Sequence, residues 1–397
     1  MKIKSEILFI ILMFWAYSCS PKGDGTVSEV SVNGHKMYVF SLDELKSGIV
    51  TVPLSSLVES CDLIQLENHK DALINTRFTT VTEKYIGVIQ SMDSYKLFDR
   101  SGKFLGKVGA IGRGPGEYFI SIYDDIIDDK NELIYLAPLS SDRILVYSIS
   151  GKFIKEIVSP QWLAKPKMFL SNNILTVVQM AMDSPYNPEM NSNRAMVIQF
   201  DINNGKVLRE FAPPEHLVVQ SYDGEIFNTR NMPLVFDFSH TSSDTLYHFD
   251  VTNNRILPVF LMRYHSTEES WKNYIQLNKN LFMTGVYFLE TNPETRRLGY
   301  VYKGLVATDL KTKTSSWVDV VNDFYGNMSV QVSNASFRNG YFVHNIEPEL
   351  LKAKMEARLA EKNCTEKDRE TLKKIVSTLD ENANNVVFIG KLRPTQN

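Results

Sequence analysis

The sequence predicts an all-β protein built from repeated antiparallel sheets, and three observations favour this fold class. The chain of 397 residues contains 22 Phe and 18 Tyr, and aromatic side chains suit the half-buried surface of a sheet. Short stretches of alternating apolar and polar residues occur along most of the chain. A turn closing on Gly-Lys, or a weaker form of it, returns at similar intervals.

The clearest repeat is a hairpin with this Gly-Lys turn. It occurs in residues 95–105 (YKLFDRSGKFL), 144–154 (ILVYSISGKFI) and 197–208 (VIQFDINNGKVL), and weaker copies surround Asn254 and Lys313. Alternation around Gly, Asn or Asp turns predicts β-hairpins, and these turns return about every 50 residues. Two further short strands precede each hairpin, so each repeat predicts one four-stranded blade of a β-propeller.

The predicted architecture is a six-bladed β-propeller of four-stranded antiparallel blades over residues 55–393. Repeats of about 50 residues fit six blades into this length better than seven. The C-terminal end supplies only three strands to the last blade, and residues 62–66 offer a fourth. We therefore expect the strand at 62–66 to pair with the strand at 386–390, which closes the ring without a free edge.

Residues 347–384 interrupt the strand pattern and predict a two-helix insertion in the last blade. Pro348 suits a first helical turn, and Thr365 followed by Asp368 forms a capping pattern for a second helix. The two helices are expected to join near Cys364. One interpretation is a passive cap on the propeller, and the other is a lid or partner-docking arm.

The N-terminus predicts export and lipid attachment. Two lysines precede a short apolar stretch at residues 7–15, which is too short to span a bilayer and is typical of a secretory signal. Cys19 follows Ala-Tyr-Ser, a loose form of the site at which lipoproteins are cleaved and acylated. We expect a signal peptide at 1–18 and a lipidated tether and leader at 19–54. The alternative is an ordinary signal peptide cut nearby.

Charge and cysteine content exclude other classes of protein. The 43 Lys and Arg residues are balanced by 46 Asp and Glu, and the net charge of −3 argues against nucleic-acid binding. Three cysteines are too few for a disulfide scaffold. Cys61 and Cys364 are interpreted as free buried thiols, although an oxidising envelope would permit their pairing.

The stretch from Phe98 to Tyr118 (FDRSGKFL followed by VGAIGRGPGEY) resembles the signature of the six-bladed, NHL-like β-propeller lipoproteins of Gram-negative envelopes. Residues 64–67 (IQLE) and 381–387 (ENANNVV) are similar to the edges of that family, without the Pro that commonly follows the Asn. The resemblance covers about residues 55–393. It implies a lipidated outer-membrane propeller that faces either the periplasm or the surface, and it implies no catalytic residues.

The glycine-rich loop at residues 109–116 is the main candidate for ligand binding. It lacks the Lys-Ser/Thr of a phosphate-binding loop and the following helix of a dinucleotide fingerprint. We expect its glycines to turn the chain between the first two blades while Arg113 and Glu117 brace the turn. Arg113 and Glu117 are also the tentative ligand-binding residues.

No metal or catalytic motif stands out, so neither a metal nor another cofactor is expected. Asp124-Asp125 and Asp128-Asp129 lack calcium-loop spacing and are interpreted as solvated turn residues. The seven His are scattered, without the spacing of metal ligands, and no Gly-x-Ser-x-Gly elbow is present.

Two functional hypotheses remain. The first is a non-catalytic binding or scaffold propeller for a glycan, peptide or protein partner in the envelope. The alternative is an enzyme, a lyase or hydrolase acting on a glycan or lactone, whose acids converge at the channel mouth. Inward-facing acids would favour the enzyme, and an aromatic, uncharged mouth would favour the binding protein.

Overall fold

Antiparallel sheets follow one another along the chain as the blades of a propeller-like, all-β fold with four-stranded blades and two helices. This architecture comes from a computed structural model, which describes residues 25–46, 48–183, 195–219, 224–264, 270–291, 296–330 and 335–394. The predicted all-β, propeller-like class with four-stranded blades is therefore confirmed. The predicted lipidation site, Cys19, and the signal peptide lie outside the described residues.

Five blades are each formed by one continuous stretch of chain, and their strands follow in order. Blade 1 contains Thr76–Val81, Tyr85–Gln90, Tyr95–Asp99 and Phe104–Val108. Blade 2 contains Ile122–Asp128, Leu133–Pro138, Ser140–Ser148 and Phe153–Ala164. Blade 3 contains Lys167–Ser171, Ile174–Val178, Val197–Asp201 and Val207–Phe211. Blade 4 contains Ile226–Phe227, Phe236–His240, Thr245–Asp250 and Arg255–Arg263, and blade 5 contains Ser270–Gln276, Leu281–Thr291, Leu298–Asp309 and Thr314–Asn322.

A further sheet joins the two ends of the propeller, and we call it the composite sheet. Its strands are Ala335–Arg338, Tyr341–Ile346, Val386–Lys391 and Asp62–Gln65. Val386 pairs with Gln65 and Ile389 pairs with Asp62, in antiparallel register. The predicted pairing of the strand at 62–66 with the strand at 386–390 is confirmed.

The prediction of six blades is wrong, because the structure has five. The structure has five blades from continuous stretches together with the composite sheet, and two of the blades exceed four strands. Those two blades are larger than predicted because residues 25–53, assigned to the leader from the sequence, also form strands. His35–Ser41 extends blade 4 in parallel with Arg255–Arg263, and Ile49–Pro53 extends blade 5 in parallel with Thr314–Asn322.

Short elements complete these extensions and the connections between blades. Ser28–Val32 pairs with His35–Ser41 in blade 4, while Gly25–Thr26 and Met328–Ser329 pair with the last strand of blade 5. Two parallel two-residue pairs lie in connections: Ala110–Ile111 with Glu117–Tyr118, and Met182–Asp183 with Val218–Val219. The 3-10 helices are Leu42–Glu44, Leu54–Ser56 and Pro214–His216.

The predicted hairpin turns are present at all five positions. Gly102, Gly151 and Gly205 have φ of 88°, 80° and 71°, a left-handed conformation that favours glycine. Asn254 and Lys313 adopt φ of 52° and 55° at the two weaker copies. Turn chemistry in the sequence thus located the last hairpin of each of the five blades.

A hydrophobic cluster fills every interface between successive sheets. Large side chains from both partners meet in each cluster: Tyr95 and Ile134, Tyr135 and Phe200, Phe169 and Phe236, Phe260 and Phe282, Met283 and Phe337, and Phe98 and Val387. The last two pairs join the composite sheet to blade 5 and to blade 1. Because every interface contains such a cluster, the packing is continuous around the ring. Burying each of these side chains contributes about 1.5–3 kcal/mol.

The two predicted helices are present at Pro348–Ala360 (α1) and Glu366–Val376 (α2). Thr365 and Asp368 form the expected capping box at the start of α2. Leu372 of α2 is fully buried against Gly326, so the pair is packed onto the propeller. No helix in the described part of the chain is long and apolar enough to cross a membrane.

Cys61 and Cys364 are both buried and both free. They lie in the hydrophobic cluster between blade 5 and the composite sheet. Burial raises the pKa of the Cys61 thiol to about 12, so the thiolate is scarce at neutral pH. Their interpretation as free buried thiols is confirmed.

Candidate functional site

The glycine-rich loop connects the last strand of blade 1 to the first strand of blade 2. Glu117 Oε2 accepts a hydrogen bond of 2.7 Å from the backbone N–H of Gly114, so Glu117 braces the loop from within. A Cβ atom at Gly112 would lie 2.0 Å from the same carboxylate oxygen. Gly116 has a φ of 73°, and a Cβ there would lie 2.7 Å from the ring of Phe153. The expected turning role of the glycines is therefore seen in the geometry.

Arg113 and Glu117 line a surface cavity of about 320 Å³ between this loop and the outer strands of blade 2. The opposite wall is formed by the ends of Ser140–Ser148 and Phe153–Ala164, and its main polar and aromatic members are Ser140, Asp142, Arg143, Glu156 and Trp162. A second cavity of about 560 Å³ adjoins it and shares Arg113, Arg143 and Glu156. These volumes are in the range of small-ligand sites.

The two arginines of the cavity differ in their pairing. Arg143 Nε lies 2.9 Å from Asp142 Oδ1, and its Nη1 lies 2.9 Å from Glu156 Oε2, so two carboxylates neutralise it. Arg113 has no carboxylate within ion-pair distance among the described residues. Its guanidinium carbon lies 5.6 Å from the ring centre of Phe119, which is 60% exposed. Arg113 is thus the cation that can receive an anionic group.

Trp162 supplies an exposed aromatic surface to the cavity. Pairing within blade 2 jumps from Ser141–Leu163 to Arg143–Val158, so residues 159–162 form a bulge opposite a single residue. The bulge leaves the indole 54% exposed while its Nε1–H donates to Ser140 Oγ at 2.5 Å. Neither Trp162 nor Arg143 was predicted as a site residue, because nothing along the chain indicates that these strands face the loop.

A second group of polar residues lies at the centre of the ring, and it corrects one prediction. Asp124 and Asp125 were interpreted as solvated turn residues, but both lie in the first strand of blade 2 and are 0% exposed. Asp125 accepts hydrogen bonds from Thr80 Oγ1 at 2.6 Å and from the hydroxyl of Tyr95 at 2.7 Å. Asp128 and Asp129 lie at the turn that follows this strand, as predicted: Asp128 accepts hydrogen bonds from the N–H groups of Lys130 and Asn131, and Asp129 accepts from Thr82 Oγ1 at 2.7 Å.

Asp124 is held by two arginines from other sheets. Arg230 Nη1 lies 3.4 Å from Oδ2, and Arg338 Nη2 donates to Oδ1. The backbone N–H of Met168 donates to Oδ2 at 2.7 Å. Burial raises the pKa of Asp124, but the charges of Arg230 and Arg338 outweigh this and hold the pKa below its ordinary value. Asp124 is therefore an ionised, fully paired carboxylate.

A loop in blade 4 carries Arg230 into this centre. The central loop (residues 228–235) joins Ile226–Phe227 to Phe236–His240. Asn231 Nδ2 donates to the carbonyl of Gln276 at 2.8 Å and to that of Phe337 at 2.9 Å, while its Oδ1 accepts the N–H of Gly340 at 3.0 Å. The loop therefore ties blade 4 to blade 5 and to the composite sheet.

Asp237 fixes the conformation of the central loop. It accepts from the N–H and the hydroxyl of Thr229, at 2.9 and 2.6 Å, and from the N–H of Arg230 at 2.8 Å. Arg230 itself has a φ of 54°, in the left-handed region that a non-glycine residue rarely adopts. The surrounding hydrogen bonds hold this strained residue in place.

Acids thus converge at the centre, which is the arrangement that would favour an enzyme. However, Asp124 and Asp125 are completely buried, and Asp237 is 2% exposed and bonded to the central loop. A catalytic carboxylate must reach the reacting atoms of its substrate, and these three are occupied by protein partners. In this conformation they stabilise the ring.

The histidines form no metal centre with other ligands in the described residues, where no three His, Cys, Asp or Glu side chains are placed to hold an ion. His216 Nδ1 and His240 Nε2 lie 3.2 Å apart, and His240 Nδ1 lies 2.6 Å from Ser242 Oγ. Burial, with His216 beside it, lowers the pKa of His240 to about 4.

The fold and these sites define a propeller-like protein with a surface cavity and a closed, charged centre. Residues 37–391 match the family described as Domain of unknown function (DUF4934), and the chain belongs to this family. No curated protein is significantly similar to the chain in sequence.

Two solved structures from Bacteroides are similar to the chain. The crystal structure of a protein of Bacteroides fragilis, described as a putative exported protein, has a TM-score of 0.54 and 13% sequence identity to the chain. The similarity covers 87% of this chain and 100% of that chain, and at this identity it shows the fold alone. A member of the DUF4221 family from Bacteroides vulgatus has a TM-score of 0.44 and 13% identity, over 85% of this chain and 98% of that one.

Proposed function

We propose that the protein is a non-catalytic binding propeller of the cell envelope, and that it binds an acidic glycan in the cavity beside the glycine-rich loop. The observation that carries this proposal is the combination of Arg113 and Trp162 at one cavity of about 320 Å³. An exposed indole offers a flat apolar surface to a sugar ring, and a guanidinium without a carboxylate partner suits the acid group of a uronic acid.

The rigidity of the cavity walls supports a binding role. Both outer strands of blade 2 are anchored by fully buried side chains such as Ile144, Val146 and Ile157. The opposite wall is held by Glu117 and by the close approach of Gly116 to Phe153. Walls fixed in this way lose little conformational entropy when a ligand binds.

The test is isothermal titration of the purified protein with acidic and neutral oligosaccharides, followed by the Trp162→Ala and Arg113→Gln variants. We expect binding of a uronic-acid oligosaccharide and a loss of about tenfold or more in affinity for each variant, equal to about 1.4 kcal/mol. Neutral analogues should bind more weakly to the wild type, and Arg113→Gln should remove this preference.

Leu298→Ala is the matched control, because Leu298 is 65% exposed on blade 5, away from the cavity. It should leave the affinity unchanged. Equal affinities for wild type, Trp162→Ala and Arg113→Gln would show that this cavity is not the site. Binding of peptides in place of glycans would retain the site and replace the ligand class.

We propose further that the chain is a lipoprotein of the outer membrane, attached through Cys19. The basic start, the apolar stretch at 7–15 and the NHL-like lipoprotein resemblance support this proposal. The assumed export of the Bacteroides fragilis protein is consistent with it. Whether the propeller faces the periplasm or the surface is a separate question for protease accessibility on intact cells.

Lipidation is tested by metabolic labelling with a fatty-acid analogue and by the mass of the mature N-terminus. The wild type should carry the label and fractionate with membranes, and Cys19→Ser should lose both. An unlabelled mature protein that begins at another residue would establish an ordinary secreted form.

A further inference from the structure

Two exposed apolar residues, Phe119 and Ile120, stand between two buried residues immediately before blade 2. Tyr118 and Ser121, on either side of them, are each only 2% exposed, whereas Phe119 is 60% and Ile120 is 41% exposed. The chain therefore buries a serine here and exposes two large apolar side chains, which reverses the usual distribution. Phe119 lines the cavity together with Arg113, so this reversal occurs at the proposed binding site.

The backbone at Ile120 is strained. Its φ is 73°, and the N–H of Ser121 donates to the carbonyl of Phe119 at 3.1 Å, which closes a three-residue γ-turn. A β-branched residue rarely adopts this left-handed conformation, in which glycine or asparagine would be less strained. Strain of this kind is concentrated at functional sites, because folding alone does not favour it.

Contacts on both sides of the turn fix its position. The hydroxyl of Tyr118 accepts the N–H of Tyr95 in blade 1 at 2.8 Å. The carbonyl of Ser121 accepts the N–H of Leu139 in blade 2 at 3.0 Å. The two exposed apolar side chains are therefore presented by a rigid support, and binding to them costs little conformational entropy.

The apolar pair and the arginine of the cavity can contact one ligand at the same time. The guanidinium carbon of Arg113 lies 5.6 Å from the ring centre of Phe119, a distance comparable to the width of one sugar ring. In a hexuronic acid, the carboxyl group and the anomeric substituent are attached on either side of the ring oxygen and are therefore neighbours. A uronic acid whose carboxylate contacts Arg113 can thus place its anomeric substituent against Phe119.

We propose that the acidic sugar bound in this cavity carries an apolar aryl or alkyl substituent, and that Phe119 and Ile120 bind this substituent. The inference rests on the proposed function, in which Arg113 and Trp162 bind the sugar itself. It adds a specificity. Between two ligands with the same acid group, the protein prefers the one with the larger apolar substituent, because more apolar surface is removed from water.

Isothermal titration of the purified protein with methyl β-D-glucuronide and phenyl β-D-glucuronide tests this preference, because the two compounds differ only in the apolar substituent. We expect the phenyl compound to bind about tenfold more tightly. Equal affinities for the two compounds would overturn the inference, and the proposed function would stand if Arg113→Gln weakens both. If neither glucuronide binds, the proposed function fails and this inference fails with it.

Phe119→Ala assigns the preference to the exposed ring. It should reduce the ratio of phenyl to methyl affinity to about one, because the substituent loses the apolar surface that it covers. Leu298→Ala is the matched control, since its side chain is exposed on blade 5, and it should retain the tenfold ratio. A tenfold ratio that survives in Phe119→Ala would place the apolar substituent elsewhere and overturn the inference.

Ile120→Gly tests the second residue of the pair. Glycine adopts a φ of 73° without strain, so the turn should be retained and the variant should fold. Its ratio of phenyl to methyl affinity should fall below that of the wild type, and an unchanged ratio would overturn the role of Ile120. An acidic peptide containing phenylalanine that binds more tightly than phenyl glucuronide would replace the sugar by a protein partner and overturn the inference.

Discussion

Asp124 is the residue on which the centre of the ring depends. Its carboxylate accepts from Arg230 of the central loop, from Arg338 of the composite sheet and from the N–H of Met168 in blade 3. One side chain therefore joins four sheets, counting its own. Because it is 0% exposed, the interactions are not screened by solvent.

Asp124→Asn is expected to destabilise the protein by about 3–5 kcal/mol, since it leaves two buried arginines without their counter-charge. Urea unfolding followed by circular dichroism measures the change. Asp71→Asn is the matched control, because Asp71 pairs with Lys107 at 2.9 Å with both side chains about half exposed, and it should not change the midpoint measurably. If the urea midpoint of Asp124→Asn equals that of the wild type, the contacts of Asp124 do not stabilise the fold.

This residue also shows where prediction from sequence ends. Asp124-Asp125 looks like turn sequence, because acids are rare in buried strands unless they are paired. The arginines that pair with Asp124, Arg230 and Arg338, are distant in the chain and come from a loop and a short strand of other sheets. Arg113 and Glu117 were recognisable because they stand in one unusual loop, but Trp162 opposite them was not.

At the scale of elements, the capping box of α2 is the most local determinant of structure. The side chain of Thr365 accepts from the N–H of Asp368 at 3.2 Å, and Asp368 Oδ2 accepts from the N–H of Thr365 at 3.4 Å. Asp368 also accepts from Asn327 Nδ2 at 2.9 Å, so the cap of the helix is joined to the propeller. The start of α2 and its docking thus depend on the same pair of residues.

Thr365→Ala should cost about 1 kcal/mol of stability, because one N–H at the start of the helix loses its acceptor. Thr371→Ala in the same helix is the control, since Thr371 is a helix-interior residue whose hydroxyl only bonds back to the carbonyl of Lys367. That change should be neutral or slightly stabilising. Equal loss in both variants by urea unfolding would argue against a specific cap.

Hairpins and helices were predictable because their signals are local. Glycines at 102, 151 and 205 occupy left-handed turns that the sequence marks directly. The same signal was present in the leader, where Asn33-Gly34 with φ of 50° and 80° joins two alternating strands. What no local pattern could give is that the strand at His35–Ser41 pairs in parallel with the last strand of blade 4, more than two hundred residues away.

At the scale of the whole molecule, closure of the ring depends on the short strand Asp62–Gln65. Consecutive residues of an antiparallel strand direct their N–H groups to opposite sides. A Leu63→Pro/Ile64→Pro double variant therefore removes at least one N–H that faces the strand Val386–Lys391. We expect a loss of about 1–3 kcal/mol or more, measured by urea unfolding.

Glu29→Pro/Val30→Pro is the control for this double variant, because Ser28–Val32 lies at the edge of blade 4 and does not close the ring. It should cost less, and unfolding should stay a single transition. If the two double variants lose the same stability, closure at 62–65 has no special role.

The stability of the whole ring should depend on pH through two buried histidines. Burial, with His216 as a neighbour for His240 and Lys354 for His344, lowers the pKa of each from 6.5 to about 4. Their folded-state pKa lies below the unfolded value, so this contribution is complete above pH 6.5 and is lost as pH falls toward 4. Urea midpoints between pH 8 and pH 4 should therefore decline below about pH 6.5.

The His240→Gln/His344→Gln variant tests the cause of that decline. It should show a flatter profile between pH 6.5 and pH 5 than the wild type, because neither glutamine can bind the proton. A wild-type midpoint that is constant across this range would contradict the assignment.

The strands at residues 25–53 set the reach of the proposed lipid anchor. A flexible tether of residues 19–54 could extend more than about 110 Å. However, only residues 20–24 separate Cys19 from the strand that begins at Gly25, and this segment can span at most about 22 Å. That strand lies on blade 5, and blade 2 is three sheets away in either direction around the ring. An anchored molecule would therefore stand on the rim of blade 5 and hold the Arg113–Trp162 cavity at its far side, turned away from the bilayer.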